Sequence, residues 1–203
     1  MHTVRYGVRD GAEVASVEVT QTYDGGVEDV WDALTSAERL PRWFAPVQGD
    51  LQRGGRFQIE GNAAGTVLEC HPPRGFTTTW EFGGSTSWLM VEVAEASPSR
   101  TVVRISHTVP TDDDHWRRFG PAAVGLGWDL TAAGLRMHLA GGGPGGADIA
   151  AEGVAWMTGP EGVAYLQRCG EGWEAADVSA GGDVAAAGER AAASVAVFTT
   201  PPS

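Results

Sequence analysis

Lysine is absent from this 203-residue chain: its 14 basic residues are all arginine, set against 26 acidic ones. The formal charge is therefore −12. A surface of that sign repels phosphate backbones and anionic lipid, so no nucleic-acid or membrane partner is expected. Cysteine is scarce too. Cys70 and Cys169 lie far apart, and in a reducing compartment they read as free thiols rather than a bridge. No apolar run reaches the roughly 18 residues of a membrane span. The N-terminus lacks a basic start followed by an apolar stretch, so no signal peptide is expected, and a cytoplasmic protein is the default. The five histidines, at 2, 71, 107, 115 and 138, show no metal-ligand spacing, so no metal is expected. No phosphate loop, dinucleotide fingerprint or nucleophile elbow appears, and no cofactor is implied.

What is present is ample apolar material, 42% of the chain, enough for a packed core. Residues 1–13 look polar and unpatterned, a loose arm. From Ala15 to Tyr23 the chain alternates, with Ala15, Val17 and Val19 on one face, as in a half-buried strand. Asp24-Gly25-Gly26 breaks it. Val27, Val30, Trp31 and Leu34 then recur at helical spacing. A second short helix, capped by Ser36, is expected to end near Trp43-Phe44. Between Gly54 and Val109, five short apolar-alternating stretches are separated by Gly61-Asn62, Pro72-Pro73, Gly83-Gly84 and Ser97-Pro98-Ser99. That pattern predicts a five-strand antiparallel meander.

A long, nearly all-apolar helix is predicted over residues 121–140, with Asp129, Arg136 and His138 its strongly polar members. Such a helix should be covered on more than one side. Residues 142–147 read as a Gly-rich linker. Residues 148–203 read as a helical extension. In it, Thr158 and Glu161 suggest a capping box and Asp183 a second cap. Its amphipathic helices can pack back on the main domain, the preferred reading, or join two chains as a homodimer.

The predicted order is strand, two short helices, meander, long helix. Several segments sharpen it: Val30-Trp31-Asp32-Ala33-Leu34-Thr35, Leu40-Pro41-Arg42-Trp43-Phe44, Gly54-Gly55-Arg56-Phe57, Gly65-Thr66-Val67-Leu68-Glu69 with Pro72-Pro73-Arg74, Ile105-Ser106-His107-Thr108, and Gly127-Trp128. Together, over residues 14–141, they resemble the Hsp90-ATPase-activator-like (AHSA1-like) branch of the SRPBCC superfamily. The tail after Gly146 is similar to tails of some bacterial members. The resemblance implies an α+β helix-grip (Bet v 1/START-like) fold: a curved antiparallel sheet around a long helix, plus C-terminal helices, with a cavity between sheet and helix. It does not imply one activity, because relatives include ligand carriers, polyketide cyclases and aromatases, self-resistance proteins and co-chaperone domains.

Eight tryptophans is a high count for this length. Trp43, Phe44, Phe57, Ile59, Trp80 and Trp128 are candidates to line a ligand cavity, and they could equally fill a core. Trp88 is a further cavity candidate, but it shares a face with Met90 and Glu92, so an inward and an outward position both stay open for it. His107 is in phase with Val103 and Ile105, and Glu69 with Val67. Both are therefore expected inward, where they could form an acid/base pair or a satisfied buried polar pair. Three functions follow: a binder of a small apolar or aromatic molecule, which is preferred; a cyclase or aromatase using His107 or Glu69; and a protein-interaction module of the co-chaperone type. A non-enzymatic role is the leading expectation.

Overall fold

The computed structural model describes residues 1–142 and 149–200. Its elements run β1 (His2–Arg9), β2 (Ala12–Asp24), α1 (Val27–Thr35), a 3-10 turn (Leu40–Arg42), β3 (Val47–Gly49), β4 (Arg56–Ile59), β5 (Ala64–His71), β6 (Gly75–Phe82), β7 (Ser85–Ser97), β8 (Arg100–Pro110), α2 (Asp114–Leu139), α3 (Ile149–Thr158), α4 (Pro160–Ser179) and α5 (Val184–Thr199). The strands form one curved antiparallel sheet in the order β1-β2-β8-β7-β6-β5-β4-β3. With the long helix this is the helix-grip architecture. The expected linker lies outside the described residues except for Gly142. No described helix is long and apolar enough to cross a membrane.

The chain divides into two compact units, and β2, β8 and α2 pass through both. The first contains β1, the start of β2, the end of β8, α2 as far as Leu130, and the C-terminal helices. The expected loose arm is instead strand β1. Val4, Tyr6 and Val8 alternate along it, and Asp10-Gly11 closes a two-residue turn with both residues at positive φ, 51° and 84°. Asp-Gly is a strong signal for that hairpin type. Arg9 consequently pairs with Ala12, and Val4 with Val17. β2 is also not half-buried as its alternation suggested, because both of its faces are covered from Val17 to Val19. Glu18, on the face expected to meet solvent, is buried and accepts a hydrogen bond from Arg5.

Helix α4 packs against β1 in this unit. The His2 ring lies 4.3 Å from the Trp173 ring. A β-carbon on Gly172 would fall 2.4 Å from His2 Nδ1, and one on Gly125 would fall 2.1 Å from Trp173 Cε2. Both glycines are there for close approach. Trp173 and Asp129 are both buried, and the indole N–H donates to Asp129 Oδ2 at 2.8 Å. His2 Nε2 donates to the other carboxylate oxygen at 2.8 Å. Buried Asp177 is served in the same way, by Tyr6 Oη at 2.6 Å and Arg190 at 2.7 Å. Burial and the neighbouring carboxylate hold the Tyr6 phenol well above its ordinary pKa.

The capping box did not form. Thr158 ends α3 and its hydroxyl donates back to Val154 O at 3.0 Å, while Pro160 opens α4 without any side-chain cap. Proline at a first helical position needs no backbone donor. Asp183 does cap α5, accepting from the Ala186 amide at 2.9 Å. In α2 the helical run begins at Asp114 and is interrupted at Gly120, with φ 57° and ψ −155°, before Pro121 starts the long apolar portion. The cysteines are free.

The second unit holds Thr20 to His107 and α2 from Thr131. It contains the meander, in which β6 pairs with β7 from Gly75↔Glu92 to Phe82↔Ser85. Arg39 ties α1 to the end of α2, donating to Asp29 at 2.8 Å, Asp32 at 2.9 Å and His138 Nε2 at 3.3 Å. Burial and the nearby arginines lower the His138 pKa.

Candidate functional site

The inner face of the meander in the second unit carries most of the candidate residues. β4 presents Phe57 and Ile59, both buried. Opposite Phe57 stands Gly65, where a β-carbon would lie 2.7 Å from Phe57 Cζ, so the ring can lie across β5. Phe57, Ile59 and Val67 form a buried cluster, with Phe44, Cys70 and Trp80 packed against it only partly buried. Trp43 has a different role. Its indole N–H donates to Ala33 O at 3.0 Å, and a β-carbon at Gly134 would approach Trp43 O to 2.9 Å. Trp43 thereby holds the 3-10 turn between α1 and the end of α2. Trp128 is buried on α2 and belongs to the first unit.

His107 faces inward from β8 as expected and is buried. Ser87 Oγ donates to Trp80 O at 3.1 Å. The hydroxyl has one proton to give, so His107 Nε2 supplies the proton of the 2.8 Å contact with Ser87 Oγ. The Trp80 ring meets the imidazole edge-on, at 5.6 Å. Burial pushes the His107 pKa down to about 4, so the ring is neutral at physiological pH.

Glu69 is not part of this group. The register of β5 against β6 shifts between Val67 and Glu69: Val67 pairs with Thr78, and Glu69 with Thr77. A bulge at this point inserts one residue and reverses the alternation. Cys70 therefore takes the inward place, and the Glu69 side chain is 59% exposed, 3.6 Å from His71. The Glu69–His107 pair does not form. Trp88 is on the outer face with Met90 and Glu92, while Ser87, Leu89 and Val91 point in.

Exposure rises along the inner face of β6. Thr78 is 4% exposed, Trp80 is half-buried and Phe82 is 60% exposed. An apolar inner surface thus reaches solvent at the turn into β7. Alternation along residues 75–82 already sets Thr78 on one face with Phe76, Trp80 and Phe82 but gives it no role, and nothing in the sequence singles out Ser87. Among the described residues, no three His, Cys, Asp or Glu side chains gather as a metal site. A separate groove of about 440 Å³ lies between β1 and α4, lined by His2, Thr3, Gly172 and Ser179 with small alanines. Its histidine is already held by Asp129.

A sheet gripping a helix, with an aromatic inner face, defines the START-like class of folds. Residues 25–140 match the family described as activator of Hsp90 ATPase homolog 1-like protein. The chain belongs to that family. CalU16 from Micromonospora echinospora is similar throughout. Its solution structure is 30% identical, with 89% of this chain and 96% of that one covered and a TM-score of 0.73. Its crystal structure gives 28% identity, 87% and 96% coverage, and a TM-score of 0.68. DynU16, described as a protein of the dynemicin biosynthetic locus, shares the fold at 19% identity, 66% and 50% coverage, and a TM-score of 0.56. No curated protein matches the sequence.

Proposed function

We propose that the chain binds a small hydrophobic or aromatic ligand on the inner face of its sheet, against Phe44, Phe57, Ile59, Trp80 and His107. One observation carries this reading: the exposure gradient along β6, which leaves Trp80 half-buried and Phe82 open on a face otherwise built as a core. An apolar face that is buried at one end and opens to solvent at an aromatic rim is the kind of surface a ligand-binding groove presents. Catalysis is the weaker reading. A base whose conjugate acid has a pKa near 4 has little driving force to take a proton at neutral pH, and Glu69 faces the other way.

Tryptophan fluorescence of the full chain, titrated with 2-naphthol, naphthalene and anilinonaphthalene sulfonate, tests the proposal. A saturable one-site response that weakens about tenfold or more in Trp80→Ala is expected, because aromatic contacts of this kind dominate small-ligand affinity. A flat response to all three probes would count against ligand binding and leave the interaction-module role suggested by the family description.

A further inference from the structure

We infer that the groove of about 440 Å³ between β1 and α4 is a second ligand site, beyond the one proposed above, and that it takes a small linear amine with N–H donors at both ends. His2 stands at one end of the groove. Its Nε2–H is spent on Asp129 Oδ1 at 2.8 Å, so the carboxylate fixes the tautomer and leaves Nδ1 as an acceptor. Nδ1 has no hydrogen-bond partner among the described residues, and it is not sealed in, the side chain being 16% exposed. Gly172 keeps it open, since a β-carbon there would press on Nδ1. An imidazole held from behind by a carboxylate, with its other nitrogen beside a cavity, is arranged to receive a hydrogen-bond donor.

The rest of the groove sets the ligand's charge and length. At the far end, Ser179 Oγ gives its proton to Ala175 O at 2.7 Å and can only accept. Ser179 also ends α4, whose last turn holds no basic side chain, so nothing on that helix offsets the partial negative charge of its C-terminus. No arginine lines the groove, Asp129 lies behind His2, and the whole chain carries −12. Each of these favours a cation and repels an anion. From Gly172 to Ser179 is one face of helix about 10 Å long. Val4, Ala175 and Ala176 line the stretch between, and their short apolar side chains suit a run of methylenes.

Isothermal titration calorimetry of the full chain with 1,6-diaminohexane, 1,6-hexanediol and adipate, at one ionic strength, tests the inference, with Tm read for each variant. One diamine per chain is expected, bound about tenfold more tightly than the diol, with no binding of adipate. Ala175→Leu puts a side chain into the groove from an exposed helical position and leaves the His2–Asp129 pair alone. It is expected to weaken the diamine about tenfold or more with Tm unchanged, and Ser179→Ala to weaken it about fivefold. Trp80→Ala, which removes a ring from the inner face of the sheet, is expected to leave diamine affinity as it was. Wild type that binds no diamine one to one, or binds the diol as tightly, overturns the site. Diamine affinity untouched by Ala175→Leu marks diffuse attraction to an acidic surface and overturns it too, as does a loss confined to Trp80→Ala. If Ala175→Leu disturbs the fold, Ser179→Ala decides, and an unchanged affinity in it overturns the site. The aromatic probes are read separately, so failure here leaves the inner-face reading standing.

Discussion

The indole N–H of Trp173 donates to Asp129 at 2.8 Å, and neither side chain is open to solvent. The carboxylate is the hub of the first unit, because His2 and the Trp173 ring meet on it. Removing one partner strands the other. Trp173→Phe, which keeps most of the apolar volume, should cost about 2 kcal/mol, the usual worth of a hydrogen bond to a charged group. Asp129→Ala should cost about 3 kcal/mol, because it orphans two donors. Urea denaturation followed by circular dichroism measures both, and a loss below about 0.5 kcal/mol in each would refute the hub.

Two glycines two residues apart on α2 should respond with opposite signs. Alanine at Gly125 would drive its β-carbon into the Trp173 ring, which is fully buried, so Gly125→Ala should lose about 2 kcal/mol or more. At Gly127 an added β-carbon meets nothing within 4 Å. Gly127→Ala should gain up to about 1 kcal/mol from helix propensity alone. Thermal melts of the pair decide the matter, and equal shifts would contradict the packing.

Acid should weaken the fold through His107. The native imidazole stays neutral down to about pH 4, while the unfolded one takes up a proton near its ordinary 6.5. Between those values the unfolded chain binds more protons, so stability falls as pH falls, by about 1.4 kcal/mol per unit from this group. Above pH 6.5 the contribution is constant. His107→Gln should flatten the wild-type slope by that amount over this window. Parallel stability–pH curves for the two proteins would rule the effect out.

Glu69→Ala should change neither stability by more than about 0.5 kcal/mol nor affinity for any aromatic probe, since the side chain is exposed on the outer face. A loss of probe binding in this variant would restore Glu69 to the site.

Much of the meander could be read from the sequence. Its turns carry Gly, Pro, Asn and Ser in short clusters, and period-two alternation between them sets the inward face wherever the ladder is regular. Phe57, Ile59, Trp80 and His107 were placed correctly on that basis. Glu69 was not, because a one-residue bulge inverts parity and leaves no mark in an apolar-polar pattern. β1 was legible but overlooked, since Asp10-Gly11 and the Val4-Tyr6-Val8 alternation both signal it. Thr158 and Glu161 had the spacing of a capping box, but α3 extends through the threonine and takes the cap position away.

Alternation, helical period and turn residues act locally, and they marked the meander, the long helix and the inward set of aromatics, while the family resemblance supplied the helix-grip class and strands β1 and β3 went unforeseen. Asp129 stood out in the sequence only as a lone charge in an apolar helix. What satisfies it, a histidine 127 positions earlier and a tryptophan 44 later, was settled when the chain folded. The same holds for the solvent-facing turn of Glu69 and the neutral state of His107. Each depends on which neighbours arrive from distant strands and on how much water they displace, and no local pattern encodes either.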